Sequence, residues 1–160
     1  MRDKRFIAAH RGGPLQKEQH NQLIMWACSC AEHVLPLAGN FTDKRITNAI
    51  SVARNRAAGN ATVGEARAAA LGAFAVANET PDEIIKAVAR SAGHAAATAH
   101  MADHSLRAAD YALKSVDISG GSAAAERNWQ DKQLPGEIEF LVKSARQPHK
   151  SIYKRDFRNK

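Results

Sequence analysis

Residues 62–83 read TVGEARAAALGAFAVANETPDE, and this stretch decides the fold class. Thr62-Val-Gly-Glu65 has the Ser/Thr-x-x-Glu form in which a hydroxyl and a carboxylate satisfy each other's free backbone N–H groups at a helix start. Thr80-Pro-Asp-Glu83 repeats the form with proline at the first helical position. Between them Val63, Ala66, Ala70, Ala73, Phe74 and Ala77 recur at the three- and four-residue spacing of one buried helical face. The pattern predicts one helix opening at Thr62 and another at Thr80.

Working outward, the same period continues in both directions. Upstream, Ile46, Ala49, Ile50, Ala53 and Ala57 mark a helix over 43–58 that stops at Gly59-Asn60. Leu23, Trp26, Ala27, Cys30, Ala31 and Val34 mark one over 16–35, ended by Pro36 and Gly39-Asn40. Downstream, the helix from Thr80 runs through Ile84, Ile85, Val88, Ala92 and Ala95 toward His100. It is apolar nearly all round, which is the character of a central helix. A break near Met101–Asp103 is expected before a fifth helix with Leu106, Ala109, Leu113 and Val116 inward, although one long kinked helix would fit the same residues. Ser119-Gly-Gly-Ser122 is a connection. A sixth helix covers 123–133, and a last one follows Pro135 with Ile138, Leu141, Val142 and Ala145 as its apolar side.

The chain has 160 residues, 44% of them hydrophobic and only 6% aromatic. Much of the apolar content is alanine, the best helix former, which lets helix axes approach closely. The expectation is all-α: a single-domain, compact bundle of about six to seven helices over 1–146, with a basic, flexible C-terminal tail over 147–160. The net charge is +7. Lys143, Arg146, Lys150, Lys154, Arg155, Arg158 and Lys160 face one acid, Asp156, whereas residues 1–142 hold 16 basic and 15 acidic groups. A near-neutral body argues against nucleic-acid binding by the folded surface. The tail, with Tyr153 and Phe157 among its cations, is the only expected route to such a partner.

Phe6-Ile-Ala-Ala9 is too short for the apolar region of a signal peptide, and no stretch is long enough to span a bilayer. No membrane partner is therefore expected, and the expected compartment is the cytoplasm. Cys28 and Cys30 diverge by about 200° on a helix, too far round to join. Both are expected reduced, Cys30 in the core and Cys28 semi-buried.

Two patterns bear on chemistry. His100-Met-Ala-Asp-His104 would set two imidazoles at i and i+4 on one helical face with Asp103 beside them, a spacing that can present two nitrogens to one divalent metal such as zinc. Glu32 and His33 would complete the set if the helices meet. The plainer reading is that these histidines hydrogen-bond across helix interfaces among alanines. His20 reads as a buried, hydrogen-bonded structural residue. His10-Arg-Gly-Gly13-Pro14 reads as a turn whose glycines allow positive φ and close backbone approach, and it could also set Arg11 against a carboxylate or phosphate. Neither the serines nor the cysteines have the neighbours of an activated nucleophile.

Arg11-Gly-Gly-Pro-Leu15, Lys17-Glu-Gln-His20, Trp26-Ala, Cys30-Ala-Glu-His-Val-Leu35, Ala92-Gly-His94 and Thr98-Ala-His-Met-Ala-Asp-His104 together resemble a bacterial family, the putative immunity proteins of the polymorphic-toxin type. The resemblance covers most of residues 5–145. It implies a cytosolic helical protein that binds and neutralises a cognate toxin, with no catalytic residues to transfer; joined to the lack of a convincing catalytic constellation, it leads to a non-catalytic binding protein for which no cofactor is expected. Two further readings stay open: a metal-binding bundle or metal-dependent enzyme using His100, Asp103, His104, His33 and Glu32, and packing of alanine faces across a homodimer.

Overall fold

The computed structural model describes residues 2–146. Within them the helices are α1 (Lys17–His33), α2 (Lys44–Ala57), α3 (Val63–Glu79), α4 (Glu83–Ala97), α5 (His104–Ile118), α6 (Ala123–Lys132) and α7 (Gly136–Arg146), with short 3-10 turns at Lys4–Phe6, Ala9–Arg11 and Leu35–Ala38. The described part is the expected all-α bundle. The tail expected over 147–160 lies outside the described residues.

Helix α3 begins as its sequence indicates. The Thr62 hydroxyl accepts the Glu65 N–H at 3.0 Å and the Glu65 carboxylate accepts the Thr62 N–H at 3.1 Å. The start of α4 differs from expectation. Thr80 is the C-terminal cap of α3, and α4 opens at Glu83. Asp82 caps it, its Oδ1 accepting the N–H groups of Ile84 at 2.9 Å and Ile85 at 3.0 Å. A carboxylate one residue before the helix reaches two free donors, so it takes the capping role from the threonine, whose hydroxyl accepts the Asp82 N–H instead.

Helix α4 is the central element, packed against α1, α2, α3 and α5. Ala87, Val88, Ala89, Ser91, Ala92, Gly93, Ala95, Ala96 and Ala97 are all buried. Small side chains on every face let four neighbours come close. The tightest approach is at Gly93, where a Cβ would lie 2.5 Å from Cε1 of Phe74 on α3. Ser91 keeps its hydroxyl satisfied by donating to the Ala108 carbonyl of α5 at 2.8 Å.

A second, polar seam joins α1, α5, α6 and α7. The Trp26 indole N–H on α1 donates to the Gln130 carbonyl of α6 at 2.9 Å. The Gln130 side-chain amide donates to the Ala109 carbonyl at 3.0 Å and accepts from Nη2 of Arg146 at 2.6 Å. Arg146 also pairs with Asp131 at 3.2 Å, and its guanidinium carbon lies 5.5 Å from the Trp26 ring centroid. Arg146 is fully buried. It therefore belongs to the core and not to the basic C-terminal run in which its sequence neighbours place it. Cys28 is likewise fully buried and not semi-buried, because α2 covers it and the Ile50 carbonyl lies within reach of its Sγ.

At the N-terminus, Gly12 has φ +85°, and a Cβ on Gly13 would lie on the Ile7 carbonyl oxygen. One glycine thus supplies the positive φ and the other the close approach that the sequence suggests. The Leu15 N–H donates to Ile7 O at 3.0 Å and the Ala9 N–H to Leu15 O at 2.8 Å, closing the loop.

Gly93→Ala is expected to cost about 1–3 kcal/mol by overpacking, read as a lower urea midpoint, with Phe74→Leu in the same chain restoring part of the loss. An unchanged midpoint for Gly93→Ala would show that the ring yields freely. Arg146→Ala is expected to cost about 3 kcal/mol, because it leaves Asp131 and the Gln130 carbonyl oxygen of the side chain without their cation.

Candidate functional site

The site is assembled by the turn between α4 and α5. Helix α4 ends at Ala97 and α5 starts at His104, so His100 and His104 do not share a helical face as the i, i+4 spacing suggests. The chain reverses instead, with the N–H groups of His100 and Met101 bonding to Ala97 O and that of His104 to Met101 O. The two rings still come together, 5.4 Å apart at an interplanar angle of 43°.

The reversal also brings in a residue that the spacing sets apart. His94, which would point elsewhere on a continuous helix, meets His104 with their Nδ1 atoms 2.9 Å apart. One Nδ1 carries the proton and the other accepts it, which in a pair of neutral rings makes them opposite tautomers. Tyr111 stacks on His94 at 5.3 Å, and Phe74 meets it edge-on at 4.9 Å. Burial, then the proximity of His104, Arg107 and Arg90, pushes the His94 pKa down to about 3. Burial also lowers His104, against the pull of Asp103. This pair could have been found only by trusting the break and folding α5 back onto α4.

The five metal-ligand candidates fall in two places. Asp103 lies beside the histidines, but its Oδ2 pairs with Arg2 Nε at 3.3 Å while its Oδ1 is buried without a partner. His33 is at the far end of α1, where its Nδ1 meets the buried Glu126 at 2.8 Å and its ring stacks on Trp129 at 3.5 Å. Glu32 pairs with Arg54 at 3.0 Å. His20, near the start of α1, bonds the carbonyl of Thr98 in the α4–α5 turn. His33 is thirteen residues further along that helix, or about 20 Å. Glu32 and His33 therefore do not join His100 and His104, and among the described residues no three His, Cys, Asp or Glu side chains could together hold a metal ion.

His20 is hydrogen-bonded as expected, its Nε2 donating to Thr98 O at 2.6 Å, but it is only partly buried. It lies at the edge of a cleft of about 370 Å³ between the N-terminal loop, the start of α1, the end of α2 and the α4–α5 turn. Arg11 and His100 line the same cleft. The thiols offer no reactive group. Burial pushes Cys28 up to about 12 and raises Cys30 as well, so neither is a thiolate near neutral pH. Among the described residues no helix is long and apolar enough to cross a membrane.

These features define a single-domain, all-α bundle in which His94 and His104 bond each other, His33 bonds Glu126 and His20 bonds a backbone carbonyl. The chain belongs to the Imm-5 like putative immunity protein family, whose model matches residues 13–137. That span runs from Gly13 through all of α1–α6, and it includes the α4–α5 turn. Comparison with curated proteins and with solved structures finds no match in either.

The depressed histidines give the fold a pH dependence. Below about 6.5 the unfolded chain takes up a proton that folded His94 refuses until near 3, so stability present above about 6.5 is lost as the pH falls. His100 and His104 are shifted in the same direction. The urea midpoint should fall between pH 7 and pH 4, and His94→Gln should flatten that fall by up to about 1.4 kcal/mol per pH unit. An equally steep fall in the variant would show that other groups carry it.

Proposed function

We propose that the protein is an immunity protein that binds a cognate toxin and neutralises it by occupying it, without chemistry of its own. The carrying observation is membership of the Imm-5 like family over residues 13–137. The state of the side chains supports the non-catalytic half of the reading. His94 and His104 bond each other, His33 bonds Glu126, His20 bonds a backbone carbonyl, and both thiols are buried. Among the described residues no hydrogen bond joins any of these histidines to a serine, threonine or cysteine nucleophile.

A rigid bundle suits inhibition by occupation, since little ordering free energy is lost when a preformed surface docks. The partner would be a protein encoded close to this one and harmful to the cell that makes it.

The test is co-expression with each neighbouring toxin gene. Growth should be restored, and the two proteins should co-purify as a stoichiometric complex from which denaturation releases chemically intact, active toxin. Failure to restore growth with any neighbouring toxin would overturn the assignment. Restored growth with a covalently altered toxin would overturn the non-catalytic mechanism alone.

A further inference from the structure

The cleft beside the α4–α5 turn has an unusual lining. Its titratable groups are His10, Arg11, Lys17, His20, Arg56 and His100, and no aspartate or glutamate is among the residues that line it. They come from separate parts of the chain: the glycine-bound N-terminal loop, the first turns of α1, the last turn of α2 and the α4–α5 turn. Among the described residues none of Arg11, Lys17 and Arg56 has a carboxylate within ion-pair distance. Arg56 makes one long bond, from Nη1 to Ala61 O at 3.3 Å. Elsewhere on this surface arginines do find carboxylates, as Arg5 does with Asp3 and Arg45 with Asp43 and Glu79.

Three cations without a carboxylate partner line one concave, partly apolar space, which concentrates positive potential there and favours entry of an anion. The histidines register that potential. Burial lowers His20 first, and Arg56, His10 and Arg11 lower it further, against the Thr98 carbonyl. Burial lowers His100, joined by Arg67, Arg11 and, more weakly, Arg2, against Asp103.

We infer that this cleft is an anion-binding site for a phosphate group, either free or carried as a monoester on a small organic body. A single carboxylate is matched by one arginine fork. A phosphate brings close to two negative charges and several acceptor oxygens, which suits cations converging from Arg11, Lys17 and Arg56. At about 370 Å³ the cleft is in the range of small-ligand sites and larger than bare phosphate requires. Its floor, which includes Leu15 and Ile24, is apolar and fits the body of an ester. The inference does not depend on the immunity reading, since neither the family match nor the rescue experiment bears on it.

The test is a titration of the full chain with inorganic phosphate, phenyl phosphate and benzoate, in a phosphate-free buffer of low ionic strength, followed by the imidazole NMR signals. Saturable shifts of the His10, His20 and His100 signals are expected with phosphate or its ester, without saturation by benzoate. Arg11→Gln and Arg56→Gln should each weaken the interaction about tenfold, whereas Lys132→Gln, which lies outside the cleft, should leave it unchanged. Circular dichroism and melting of each variant separate lost binding from lost folding. Phenyl phosphate binding more tightly than phosphate identifies an ester as the ligand class; equal binding identifies free phosphate. No saturation by about 10 mM of either phosphate, or unchanged affinity in both arginine variants, would overturn the proposal. So would benzoate binding as tightly as the phosphates.

Discussion

The contact between the Phe74 ring and the bare backbone of Gly93 sets the spacing on which the bundle depends. Helix α4 can be surrounded by four other helices only if each neighbour comes close, and closeness demands small side chains on every face. Alanines provide this along most of α4, and glycine provides it where an aromatic ring must fit. The same ring then lies edge-on to His94, so the packing of α3 on α4 also holds one member of the histidine pair. Polar groups in such a core have little room to rearrange. Ser91, His94 and Gln130 each find a partner on another helix.

Much of this architecture is legible in the sequence. The opening of α3 is written in the reciprocal Thr62 and Glu65 bonds, and the central position of α4 in its run of small apolar residues toward Ala97. The start of α4 was less legible because two capping residues, Thr80 and Asp82, compete, and their ranking depends on where α3 ends. The histidine site was half legible. Helical spacing was the wrong guide to His100 and His104 once the chain turned at Ala97, yet the turn restored their proximity by another route and added His94. Glu32 and His33 were assigned to the same site by chemistry alone, and the length of α1 separates them. The cleft left almost no sequence signal, because its cations come from four elements and meet only in three dimensions.

Charge placement shows the same limit. Arg146 stands in a run of basic residues and reads as one of them, but its guanidinium is enclosed by Trp26, Gln130 and Asp131. Desolvation lowers its pKa, a penalty that surface arginines escape. Arg11 and Arg56, by contrast, stand among ordinary surface charges in the sequence and converge on one cavity in the fold. Family membership adds a functional class without selecting between these two regions, and the matched span reaches Glu137 on α7 but not Arg146.

The buried seam also fixes an order of events during synthesis. Trp26 is made early, and its indole N–H waits 104 residues for the Gln130 carbonyl, with Arg146 emerging later still. Until then the aromatic side chain has neither its acceptor nor its covering cation, and the first helix is exposed to proteases and to other nascent chains. The seam therefore closes over α1 only when α6 and the end of α7 have docked, and the packing of the first helix depends on residues from the last two.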